Sequence, residues 1–161
     1  MPAGSTYTPI ATTTLGSTAS SYTFSSIPST YTDLRLVTWT SITPGPDNTV
    51  LRFNGDTGSN YSSTYLGGSG SAASSGRFSN TNSIYLGYIG TGVQKFDIMN
   101  YSNTTTNKTV LCRSDDASSW IEASVGLWRS TAAINSITIR TFGSTNFAAG
   151  TTFTLEGIQA A

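Results

Sequence analysis

The sequence predicts an all-β chain, an antiparallel β-sandwich of the jelly-roll type with about eight to nine strands and a short extended N-terminal arm. Three observations predict it. Short runs of alternating apolar and polar residues recur along the chain, separated by Gly, Pro and Asn turns. No stretch of the dozen or so residues that a stable helix needs carries a helical period. Ser and Thr make up about a third of the 161 residues, while only 10% are charged, so the surface is neutral and hydroxylated.

Residues 1–14 are small and polar, with two prolines and only Tyr7 and Ile10 as anchors, and read as an extended arm. The remainder, 15–161, reads as one domain, long enough to bury about two thirds of its unfolded surface without staples. Residues 20–27 alternate through Tyr22 and Phe24 until Pro28 breaks the run. Residues 33–42 place Leu34, Leu36, Thr38 and Thr40 on one face, with Val37 and Trp39 among those opposite. A Pro-Gly-Pro turn follows, then a short strand over 49–54 that ends on Asn54-Gly55, a strong hairpin dipeptide. Residues 55–80 hold Tyr61, Tyr65, Leu66 and Phe78 among many Gly and Ser, and read as a long, partly ordered surface loop. Further strands are expected over 83–89, 93–101, 108–113, 120–128, 134–142 and 151–159.

Composition narrows the chemistry. There is no histidine, so the usual general base near neutral pH is missing and the chain offers carboxylates only. Asp115, Asp116 and Glu122 could form a glycosidase-like pair, but Asp115 and Asp116 are neighbours in an expected turn and point apart. No catalytic residue is assigned, and the chain reads as non-enzymatic. The lone Cys112 reads as an apolar strand position. The run 54–60 spaces oxygen ligands at alternate residues but lacks the closing glutamate of an EF-hand, and reads as turn chemistry around Asp56. No cofactor and no metal are expected. Two lysines and six arginines balance six aspartates and two glutamates with no like-charge block, which argues against a nucleic-acid partner. No apolar run reaches the length of a membrane span, and the first residues lack a secretory signal, so assembly in a cytoplasm is expected.

Several stretches resemble a family of tailed-bacteriophage jelly-roll virion structural proteins, comprising capsid cement or decoration proteins and related tail-fibre terminal modules. They are Tyr7-Thr-Pro-Ile-Ala-Thr12, Phe24-Ser-Ser-Ile-Pro-Ser-Thr-Tyr-Thr-Asp-Leu34, Arg52-Phe-Asn-Gly-Asp-Thr-Gly-Ser-Asn-Tyr61, Ile98-Met-Asn-Tyr-Ser-Asn-Thr104, Val125-Gly-Leu-Trp-Arg-Ser-Thr-Ala-Ala-Ile134 and residues 146–158. The resemblance implies a jelly-roll virion protein whose specific role it leaves open, and for a cement protein of this kind it implies a homotrimer on the outer capsid lattice with the major capsid protein as partner. The absence of a fibrous stalk or coiled-coil heptads in this sequence favours capsid over tail. The alternative it leaves is a tail-fibre or tail-tip module recognising host-surface carbohydrate.

Two sets of residues are singled out. Tyr7, Pro9 and Ile10 form the candidate capsid-docking arm, with the first strand of the sandwich as the other reading. Tyr61 and Tyr65, in a loop too poor in apolar residues to bury them, are candidates for a subunit interface or a ligand site. A carbohydrate site would draw on these and on Tyr85, Tyr88, Trp120 or Trp128, since flat rings stack on sugar faces.

Overall fold

The computed structural model describes residues 6–116 and 118–159, none of them helical. Thirteen strands are present among them: β1 (Tyr7–Thr14), β2 (Ser21–Phe24), β3 (Asp33–Thr43), β4 (Asp47–Phe53), β5 (Tyr61–Gly68), β6 (Ala73–Thr81), β7 (Ile84–Ile89), β8 (Thr91–Met99), β9 (Lys108–Asp116), β10 (Trp120–Trp128), β11 (Ile137–Thr141), β12 (Asn146–Phe147) and β13 (Thr152–Ile158). A large sheet runs β1-β13-β3-β8-β9-β10-β5-β6, with β12 paired to β3, and a smaller one runs β2-β11-β4-β7. All pairings are antiparallel, and the two sheets pack face to face as the expected sandwich.

The core follows from period-two alternation. Leu34 and Leu36 of β3, Phe96 and Ile98 of β8, Val110 of β9 and Trp128 of β10 point inward from the large sheet. Leu51, Phe53, Ile84, Leu86, Ile137 and Ile139 meet them from the small one. At Gly126 the layers are in close contact. A Cβ there would lie 2.2 Å from Ile84 Cγ2, so the Ile84 side chain occupies the space a larger residue would need.

Three expectations change. The strand count exceeds eight or nine because β1, β5, β6 and β12 add to the runs that periodicity finds. Residues 7–14 of the expected arm form the edge strand β1, hydrogen-bonded to β13 from Tyr7↔Ile158 to Thr14↔Thr152. Pro9 is tolerated there because an edge strand has one unpaired side, and the register slips between Pro9 and Ala11. Residues 1–5 lie outside the described residues. The expected loop over 55–80 is mostly the hairpin β5-β6, paired from Tyr61↔Thr81 to Gly68↔Ala73. A hairpin at a sheet end needs few inward apolar residues, so poverty in apolar content does not exclude it.

Asn54-Gly55 makes the expected tight turn, with φ of 52° and 68° and a 2.9 Å bond from Asp56 N–H to Phe53 C=O. It does not close a hairpin. The chain leaves β4 in the small sheet and enters β5 in the large one, so the turn carries it between layers.

Candidate functional site

Two surfaces of the sandwich stand out, a cleft at the β7 edge and the outer face of the large sheet.

The cleft forms where the end of the small sheet, β7, meets β10 and the β5-β6 hairpin. It encloses about 300 Å³ and is lined by Asn48, Tyr65, Ser74, Tyr85, Tyr88, Trp120 and Glu122. Two glycines seat two of its rings. A Cβ on Gly67 would fall 2.4–2.8 Å from three Trp120 ring atoms, and one on Gly76 would fall 2.6–2.8 Å from the outer ring atoms of Tyr65. Each ring therefore lies on bare backbone of the neighbouring strand. Tyr65 continues into a run of rings, with Phe78 6.0 Å away and stacked, Tyr85 4.3 Å beyond it and Phe142 5.6 Å beyond that.

Glu122 lines this cleft and is only 7% exposed. Trp120 Nε1 donates to its Oε2 at 3.0 Å, which fixes both indole and carboxylate. Its Oε1 is buried with no hydrogen bond of normal geometry. Register places Glu122 beside Ser114, Ser114 beside Gln94, and Gln94 beside Thr38 in one inward-facing row. Ser114 Oγ, Gln94 Nε2 and Thr38 Oγ1 are likewise buried without a bond of normal geometry, while Gln94 Oε1 accepts from Thr49 Oγ1 at 3.0 Å. Such a concentration is unusual, because buried polar atoms are normally paired. Gly87, at φ 110°, makes room for the row, since a Cβ there would lie 2.4 Å from Ser114 Oγ.

Burial pushes the Glu122 carboxyl up, opposed by the Trp120 indole and the Tyr88 backbone amide. The folded chain thus holds this proton more tightly than the unfolded chain. The group's effect on stability is most favourable below the ordinary carboxyl range and is lost as pH rises through it to the folded pKa. Glu122→Gln is expected to raise stability at pH 7, with the gain disappearing near pH 3.5. Urea unfolding at the two pH values checks this, and equal gains at both would contradict it.

The residues anticipated for chemistry separate. Tyr61 is not a loop residue open to ligand. It is fully buried, its ring stacks on Trp128 at 6.2 Å, and its hydroxyl accepts from Phe53 N–H and donates to the Asp56 carbonyl, both at 3.1 Å. The sandwich interior, rather than its own loop, buries it, and desolvation pushes the phenol up to about 12. Tyr65 is half-buried in the cleft, as are Tyr85 and Trp120, with Tyr88 exposed beside them, while Trp128 is core. Tyr7 lies on the sheet edge under the Arg35 guanidinium, 4.5 Å from the ring centroid. Pro9 is exposed, and Ile10 packs partly against the core.

Asp56 has a structural role in its turn. It accepts from Gly58 N–H at 2.8 Å, Asn60 Nδ2 at 3.0 Å and Trp128 Nε1 at 2.7 Å. Burial works to raise its pKa, but the three donors together outweigh it and hold the carboxyl below its usual range. Asp115 and Asp116 belong to β9 rather than to a turn. Asp115 is exposed, whereas Asp116 is buried and takes Ser118 Oγ at 2.6 Å and Gly90 N–H at 3.0 Å. Among the described residues no three His, Cys, Asp or Glu side chains group as metal ligands. Cys112 is buried with its Sγ donating to Leu86 C=O at 3.1 Å, and burial pushes the thiol well above its ordinary range.

The outer face of the large sheet is the second surface. Register sets Leu111 beside Val125, and Leu66 beside Ala123. Ile121 precedes Ala123 on the same face of β10, and these side chains reach solvent, Ile121 at 63%, Leu66 at 62% and Val125 at 49%. Trp39 and Val93 face each other farther along the sheet, both exposed. Periodicity places these residues opposite the core, but that five strands align them is information held in the register alone.

No family model matches the sequence, and no curated protein matches it. Among solved structures the chain is similar to Caenorhabditis elegans galectin LEC-6, at 10% identity and a TM-score of 0.37 over 92% of this chain and 96% of that one.

Proposed function

We propose that the chain is a non-enzymatic structural protein of a tailed-phage virion, a capsid cement or decoration protein that binds the outer lattice as a homotrimer. The observation that carries this reading is the exposed apolar face around Leu111, Ile121 and Val125. Contiguous exposed apolar surface marks an interaction site, and before docking such a face needs a cover, which copies of the same chain supply. Trimers then present three β1 edges, where Tyr7, Pro9 and Ile10 stand, to the major capsid protein. A protein that binds only the assembled lattice stabilises that lattice by mass action. The motif resemblance supports the same assignment, and its place of action is the outer capsid surface.

The cleft favours a second reading, a tail-fibre or tail-tip module that recognises host-surface carbohydrate, because its rings and hydrogen-bonding groups suit a sugar. Immunogold labelling of the virions that carry the chain separates the two. Label over the capsid shell supports cementing, and label confined to the tail tip overturns it.

A further inference from the structure

We infer that the β7-edge cleft is a binding site for a neutral glycan, with Tyr88 and Trp120 as the stacking platform and Glu122 as the anchoring polar group. The inference does not depend on where in a virion the chain sits.

Two independent observations carry it. The first is the presentation of the rings. Trp120 and Tyr65 lie on glycine backbone at Gly67 and Gly76, so one side of each ring is spent against the sheet and the remainder borders the cleft. Trp120 is further held by its bond to Glu122 Oε2, and the site is thus pre-organised rather than assembled on binding. The second is Glu122 itself, a carboxyl more than nine-tenths buried that nonetheless lines the cleft.

The donor set points to the ligand class. Asn48, Ser74, the tyrosine hydroxyls and a carboxyl that burial drives toward its neutral form can each give or accept a hydrogen bond, as sugar hydroxyls do. No lysine or arginine lines the cleft, so an anionic sugar has no counter-charge there. A quaternary ammonium ion would also favour rings, but it offers nothing to bond to Asn48 or Ser74.

The test is titration of the full chain, followed by the indole N–H resonance of Trp120. The probes are maltohexaose, cellohexaose, chitohexaose and a galacto-oligosaccharide, with choline as the cationic arm. At least one sugar is expected to shift the Trp120 signal saturably. Tyr88→Ala, at a partly exposed position, is expected to weaken that binding at least tenfold, while Trp39→Ala on the opposite face leaves it unchanged. Saturation by choline alone, no response to any sugar, or a sugar response insensitive to Tyr88→Ala would each overturn the assignment. Co-sedimentation of the Tyr88→Ala protein with capsids keeps this result separate from the cement reading, since that variant should still bind capsids.

Discussion

Trp128→Ala is expected to cost about 3–5 kcal/mol of folding stability, the usual range for truncating a buried aromatic side chain. Trp128 is 2% exposed and is the point where both sheets and the interlayer turn meet. Its ring lies 5.5 Å from Phe53 of the small sheet and 6.2 Å from Tyr61 of the large one. Its indole N–H bonds Asp56 Oδ2 at 2.7 Å, and Asp56 in turn fixes Gly58 and Asn60. Truncation opens a cavity and removes one of the three donors on the Asp56 carboxylate. Against a total of about 5–15 kcal/mol for an ordinary domain, this is a large fraction. A thermal midpoint lower by roughly 10 °C or more follows for a chain of this length. Trp128→Phe keeps most of the ring but not the donor, and should cost about 1–3 kcal/mol. Equal losses for the two variants would mean that the hydrogen bond, and not the packing, dominates.

The second large effect is overpacking at Gly126. The Cβ of Gly126→Ala would stand 2.2 Å from Ile84 Cγ2 and 3.0 Å from Cδ1, closer than carbon atoms comfortably approach, so the Ile84 side chain or the strand that carries it must shift. Inserting such a group into a filled core costs about 1–3 kcal/mol, and Gly126→Val more. Ile84→Ala removes the atoms that collide, so the double variant should be more stable than the sum of the single losses implies. A coupling of about 1 kcal/mol or more by urea unfolding checks this. Simple additivity would show that the sheets separate freely at this point, contrary to the tight contact described.

The two variants also mark what the sequence makes legible. Alternation at Leu34-Arg35-Leu36 and at Phe96-Asp97-Ile98 identifies core strands because both of their faces are decided by composition. β5 and β6 escape the same logic. Their inward positions are Tyr61, Ser63, Tyr65 and Gly67 on one strand and Gly76 and Phe78 on the other, a pattern that resembles a polar loop until the small sheet is placed over it. β12 is two residues long and has no period to read. β1 stands among the sequence readings only as one of two alternatives, because an edge strand buries little.

The candidate site was partly visible. Tyr65, Tyr85, Tyr88 and Trp120 are recognisable as rings in a polar chain, but nothing local distinguishes them from Tyr61 and Trp128, which enter the core. The difference lies in strand order, since β5 is next to last in its sheet and its Tyr61 end packs against Trp128 and Phe53 of β4 while its Tyr65 end borders the cleft beside β7. The row Thr38, Gln94, Ser114 and Glu122 comes from four strands spread over most of the chain, and only pairing register brings it together. The glycines at 67 and 76 are the one local signal, because glycine opposite an aromatic residue on a neighbouring strand is a recurrent way to seat the ring.

We propose that this chain cements a capsid through an assembly that covers its outer sheet face. The most direct measurement is co-sedimentation with expanded capsids lacking the protein, followed by heating to measure DNA retention. The wild-type chain and the Ile121→Lys/Val125→Lys double variant are compared. Both positions are solvent-facing in the single chain, so the variant should fold, with an unchanged thermal midpoint at low concentration. The wild type is expected to bind and to raise the temperature of DNA release, and the variant to do neither. Absence of wild-type binding, or binding and heat resistance undiminished in the variant, would contradict it.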